Sequence, residues 1–172
     1  MKILALMDFS ETTTALAKVI TKQAQHEVRQ VRLLHILDLI VRPNSLGSLD
    51  ACSNHLAKRK ELMRTWVTKI APELPNEVEM LHDVMIGDIK KSVREILAEY
   101  GPDDLIIMGS HGHGKIYDVL IGSCASTVLR HSQSPVLCIP SRALEYGDVL
   151  VETEIYRIPT EAHSEEEETP SE

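Results

Sequence analysis

The stretch that most narrows what this chain can fold into runs from Asp104 to Pro140. An apolar run, Leu105 to Met108, stops at Gly109 and reads as a buried strand. Gly112 and Gly114 follow closely, and Gly122 precedes Ser123. The next segment carries Cys124, Val128 and Leu129 at helical spacing, and a second apolar run, Val136 to Ile139, reads as another strand. Strand, glycine-rich loop, helix and strand form a βαβ unit. Glycine lacks a Cβ and tolerates positive φ, so such a loop lets backbone approach a bulky anion. A helix N-terminus behind it adds free N–H groups and positive partial charge. The unit is a phosphate site in outline; the bland alternative is that the glycines only make a long, tight connection.

The rest of the chain repeats the alternation. Lys2 to Met7 reads as a central parallel strand ending at Asp8, with Asp8 and Glu11 as a capping box and Ser10 as a second N-cap candidate. Leu16, Val19, Ile20 and Ala24 mark a first helix, and Val31 to Leu37 a second strand with His35 inside it. After a loop at Asp38 to Gly47, Leu56, Leu62, Met63, Trp66, Val67 and Ile70 line one face of a second helix, closed by Pro72 and Pro75. Val78 to Ile86 mixes polar and apolar positions, as a strand near a sheet edge does. Ile89, Val93, Ile96, Leu97 and Tyr100 mark a third helix, with Gly101 and Pro102 as its stop signal. Five strands joined by four helices predict an α/β fold: an open five-stranded parallel sheet with helices on both faces.

Composition bounds the rest. The 172 residues suit one domain with a sizeable core, and one Trp, one Phe and four Tyr make that core aliphatic. No apolar stretch approaches the roughly 20 residues of a membrane span. The first residues reach Asp8 too early for a secretory leader. Cys52, Cys124 and Cys138 show no metal spacing and fit a reducing cytoplasm. The net charge of -8 sits entirely in residues 142–172, which hold ten acids and two bases; residues 1–141 hold sixteen of each. No basic surface for nucleic acid is visible. We therefore divide the chain into a domain, 1–141, and an acidic extension, 142–172. Within the extension, 148–158 has the alternation of an added strand, while 160–172 is polar enough to be disordered.

Asp8 at the end of the first strand, and Gly109-x2-Gly112-x9-Gly122-Ser123 after the fourth, resemble the ATP-binding branch of the universal stress protein family over roughly residues 1–140. Met108 to Gly112 and Ser134 to Leu137 match it too. The resemblance implies an adenine nucleotide alpha hydrolase-like, Rossmann-like fold that binds ATP, with Mg²⁺ allowed between the phosphates. It implies that Asp8 faces adenine and ribose, and that Ile36 holds adenine through its backbone. Met108 and Gly109 would border the ribose and α-phosphate, and Gly112 would let the loop pass the phosphates. Gly122, Ser123 and Cys124 would meet the outer phosphates; His111, read from the residues as a solvent-facing loop histidine like His113, is a further candidate phosphate contact. It also implies a homodimer through the last strand, where an uncovered apolar edge is a liability. Bland readings stand beside these: Asp8 and Ser123 as helix caps, His35 as a satisfied core histidine.

Two other motifs carry less. His111 and His113 are too few for a structural zinc site. Gly109 to Lys115 fits seven positions of the P-loop pattern, but Ile116 stands where the magnesium-binding hydroxyl belongs. The functional expectation is a cytoplasmic, nucleotide-dependent regulatory module in the stress response, with a protein partner the sequence does not name. The alternative is a slow ATPase or phosphotransferase, for which Asp118 is the one candidate base and no catalytic set is visible.

Overall fold

The computed structural model describes residues 1–10, 12–38, 48–110 and 122–140, and only the backbone of residues 48–52. Five strands, β1 (Lys2–Leu6), β2 (Gln30–Leu37), β3 (Glu79–Ile86), β4 (Leu105–Gly109) and β5 (Val136–Ile139), lie in the order β3-β2-β1-β4-β5, and every pairing is parallel. The connections contain α1 (Thr13–Gln23), α2 (Ser48–Ile70), α3 (Ile89–Leu97) and α4 (Ser123–His131). A 3₁₀ turn, Ala71–Glu73, with Pro72 in its first positions, follows α2. The predicted fold class therefore holds, with strand bounds within one residue of the expected ones.

The two-residue period of β1 sorts the core. Ile3, Ala5 and Met7 pack with Val31, Leu33 and Ile107 under Leu16 and Ile20 of α1 and Met63 and Ile70 of α2. Leu4 and Leu6 pack with Leu34, Ile106 and Met108 under Val93, Ile96 and Leu97 of α3 and Ala125 and Val128 of α4. Both faces of β1 are covered, which explains its unbroken apolar run. Each buried aliphatic side chain contributes roughly 1.5–3 kcal/mol. Polar positions persist in β3 because it is an edge: Glu79, Leu81, His82, Asp83 and Ile86 are exposed.

Two end signals differ from expectation. The third helix stops at Ala98, in ordinary right-handed geometry; Gly101 lies three residues on, outside the left-handed region. Gly101 instead donates its N–H to Asp104 Oδ2 at 3.1 Å, and its carbonyl accepts from Ser134 Oγ at 2.6 Å. The start of α3 is capped conventionally, Asp88 Oδ1 accepting from the Lys91 N–H at 2.7 Å.

At the amino ends of the strands an ionic cluster ties elements together. Arg32 pairs with Asp83 at 3.0 Å and Glu99 at 2.9 Å, and Lys2 pairs with Asp104 at 3.5 Å. Burial works against the Arg32 charge, but Asp83, Tyr100 and Glu99 outweigh it and raise its pKa. Burial likewise opposes the Asp104 charge, yet the backbone N–H groups of Gly101 and Lys2 and the Lys2 cation hold its pKa below the ordinary value.

Candidate functional site

The order β3-β2-β1-β4-β5 means the chain winds outward from β1 in one direction, then crosses back to wind in the other. The switch falls between β1 and β4, and open α/β sheets bind ligands outside the carboxyl ends of strands at such a point.

Strand lengths cut a slot there. The β1 ladder ends at Leu6, opposite Leu34 and Met108, whereas β2 runs on to Leu37 and β4 to Gly109. Leu34 accepts from the Met7 N–H on the β1 side, and Leu37 accepts from Gly87 on the β3 side. Alternation then turns the N–H and C=O of Ile36 toward β1, beyond the point where β1 leaves the sheet. From the other flank, the Ser110 N–H donates to Ile139 on the β5 side, so the Gly109 carbonyl faces β1. Strands about 4.8 Å apart leave β2 and β4 separated by about 10 Å across the slot. The roles expected of Ile36 and Gly109 need only backbone groups, and the backbone is so oriented. Met108 is 2 % exposed, with its side chain in the core, so only its backbone can border a ligand.

Asp8 lies where β1 leaves. Its Oδ1 accepts from the Ser10 N–H at 3.0 Å, the Ser10 hydroxyl at 2.8 Å and the Thr13 hydroxyl at 3.4 Å. It therefore closes the turn before α1 instead of capping the helix. The N-cap position is Thr12, without a side-chain cap bond, so neither Asp8 nor Ser10 is the cap. Among the described residues no hydrogen bond ends on Asp8 Oδ2. Glu11, the other half of the expected capping box, lies outside the described residues.

Phe9 next to it holds a left-handed φ of 57°, a strained conformation for a side chain of that size. Its ring lies 4.6 Å from that of His35, whose Nδ1–H donates to the Met7 carbonyl at 2.6 Å. His35 is thus a hydrogen-bonded core histidine. Arg59 of α2 sits 5.8 Å from the Phe9 ring. The sequence reading missed Phe9 and Arg59; aromatic–histidine contact and left-handed φ have no signature in spacing.

The third wall is the start of α4. Gly122 is its N-cap residue, Ser123 the first helical residue, and Ser126 N–H closes on the Gly122 carbonyl at 2.8 Å. Ser123 is therefore not the cap. The first N–H groups of the helix have no intrahelical acceptor. The Gly122 N–H donates to the Ser110 carbonyl at 3.3 Å, so both ends of the intervening segment meet at one place. His111, Gly112, His113, Lys115 and Asp118 belong to that segment, outside the described residues.

Gly122 has φ −58°, and among the described residues a Cβ built on it would meet the Ser110 oxygen, at 3.8 Å. Neither backbone strain nor a described neighbour requires glycine here. Burial first, and the Asp8 charge second, push the Cys124 thiol pKa up to about 11. Because α4 follows the carboxyl end of β4, its first turn lies at the same end of the sheet as Asp8. Asp8, Ile36, Met108, Gly109, Gly122, Ser123 and Cys124 thus gather at one end of the sheet.

The strands and helices define an open, doubly wound α/β protein with a slot at the switch point. The chain belongs to the universal stress protein family, whose sequence pattern matches residues 1–140. Universal stress protein MJ0577 of Methanocaldococcus jannaschii is 29 % identical over 151 residues, covering 80 % of this chain and 93 % of that protein. The solved structure of MJ0577 superposes with a TM-score of 0.67 at 27 % identity, covering 81 % of this chain and 94 % of the other. Universal stress protein Sll1388 of Synechocystis is 28 % identical over 153 residues, 80 % of this chain and 96 % of its own. A universal stress protein family protein of Arabidopsis thaliana, solved with AMP bound, shares the fold at a TM-score of 0.55 and 18 % identity, covering 84 % of this chain and 94 % of that one.

Proposed function

We propose that this protein is an ATP-binding regulatory module of the cytoplasmic stress response. The observation that carries the reading is Gly122, a glycine at a helix N-terminus whose φ and whose neighbours among the described residues give no reason for it to be one. Space left beside helix N–H groups suits a phosphate. The residues present fit the rest of the nucleotide. Ile36 offers an adjacent N–H and C=O, matching the N1 acceptor and N6 donor of adenine, and Asp8 Oδ2 can accept from a ribose hydroxyl. That the same fold holds AMP in the Arabidopsis relative agrees with this. Magnesium bridging the phosphates would need few protein ligands.

The regulatory reading is preferred to hydrolysis. Hydrolysis needs a group that orients water at the γ-phosphate. Asp8, the acid at the end of β1, already holds the turn before α1 and adjoins the nucleoside end. Nucleotide occupancy would then set conformation or assembly and so the choice of partner protein. A homodimer through the β5 edge, Val136–Ile139, is part of this proposal. The test is identification of the co-purifying nucleotide by mass spectrometry, followed by a single-turnover assay with ATP. Bound ATP with slow or no hydrolysis is expected. Rapid turnover would make the protein an enzyme, and a nucleotide-free protein with no ATP affinity would refute the site.

A further inference from the structure

One charged surface lies largely outside the nucleotide crevice, Arg59 being the member that reaches the Phe9 ring beside it. From Lys58 to Lys69, α2 carries Lys58, Arg59, Lys60, Arg64 and Lys69 against the single acid Glu61, a net charge of +4 (five minus one). Lys58, Lys60, Arg64 and Lys69 are exposed and Arg59 is half-buried. Glu61 is taken by Arg64 at 3.1 Å, and among the described residues Lys58 and Lys60 make no ion pair. Lys60 and Arg64 stand four apart, where like charges destabilise a helix. Folding alone does not call for these bases, which flank the exposed side of α2 in two rows, Lys58 and Lys69 on one flank and Lys60 and Arg64 on the other, with Glu61 between them.

Its complement lies in the same chain. Residues 161–172 hold six acids, Glu161, Glu165 to Glu168 and Glu172, and no Lys or Arg. Geometry allows the two to meet. Helix α2 leads from the carboxyl end of β2 to the amino end of β3, so its Arg59 half lies at the end of the sheet where Pro140 leaves β5. Between β5 and β2 are three strand spacings, about 14 Å, and the helix layer adds about 10 Å. The twenty residues 141–160 can span up to about 66 Å. Exposed ion pairs are individually weak, but a tether of this kind gives a local concentration in the millimolar range.

We propose that the acidic end of the chain, residues 161–168, docks on the basic face of α2 in its own subunit. Trp66, the single tryptophan, is a built-in reporter: it is half-buried on α2, with Lys69 Nζ 4.7 Å from its ring.

The experiment is carbodiimide cross-linking of the full chain, mapped by mass spectrometry, beside the emission of Trp66. Glu165 to Glu168 should join Lys58, Lys60 and Lys69 within one chain. The yield should fall about tenfold between about 0.05 M and about 0.5 M salt. Replacing all four by Gln (Glu165→Gln through Glu168→Gln) should shift Trp66 emission at low salt and leave it unchanged at high salt. Cross-links reaching Lys90 and Lys91 of α3 as readily, or indifferent to salt, would overturn the docking. Mixed cross-links between isotopically heavy and light chains would place the segment on a second copy and equally overturn it. An emission spectrum unmoved by the Gln variant at both salt concentrations would do the same.

Discussion

The Asp8 carboxylate has two oxygens, and the described fold uses one. Oδ1 holds the turn through Ser10 and Thr13, while among the described residues no hydrogen bond ends on Oδ2. Asp8→Asn keeps an acceptor for the turn and should cost no more than about 1 kcal/mol. Asp8→Ala should lose ATP affinity and also lower the melting temperature by about 2–4 °C. Cys124 gives an independent reading of the same contact. Burial raises its thiol first and the Asp8 charge second, to about 11. A thiol raised in the folded state contributes stability that is full below its unfolded value of about 8.5. That stability fades as pH rises through about 11. With the charge removed in Asp8→Asn, the pH dependence of Cys124 alkylation, mapped by peptide mass, should move downward while staying above that of a free thiol. An unchanged profile would separate Asp8 from α4 and dismantle the site.

Among the elements, α3 and β4 depend on single carboxylates. Asp88→Ala removes the cap on α3 and should cost about 1 kcal/mol in urea unfolding without changing nucleotide affinity, since Asp88 follows the edge strand β3, two strands from β1. Asp104 ties β1 to the loop before β4, and its pKa is held low. Its stabilisation is present above the unfolded carboxylate value of about 3.9 and is lost as pH falls through its depressed folded value. Asp104→Asn should therefore destabilise at pH 7 and much less in strong acid, by thermal melts across pH. The strands and helices themselves were legible in the sequence because their signal is local. Leu105 to Met108 is apolar because β4 is covered on both faces, and β3 mixes polarity because it is an edge. Element ends were less legible. Asp8, Ser10 and Ser123 all look like caps, yet Thr12 and Gly122 hold those positions, because side-chain identity does not fix where the first helical turn closes.

At the scale of the molecule, the slot is a difference in strand length across three neighbours, which no single segment reveals. Ile36 looks like any core residue until the end of β1 is placed against it. Asp8, Gly109 and Gly122 could be picked out in sequence only through the family's spacing, and Phe9 and Arg59 not at all. The same topology leaves β5 at one edge with its outer backbone groups unpaired by any described strand. Sedimentation at micromolar concentration should give the mass of a dimer; a monomer would reject β5 as the interface. The central claim is that Gly122 is glycine for the sake of a phosphate, and calorimetric titration of ATP into the wild-type protein and Gly122→Val tests it most directly. With φ −58° and its nearest described neighbour at 3.8 Å, Gly122 should accept valine at a cost of no more than about 1 kcal/mol. ATP should bind the wild type and not the variant, the two melting within a few degrees of each other. Equal ATP affinity in a folded Gly122→Val protein would contradict it.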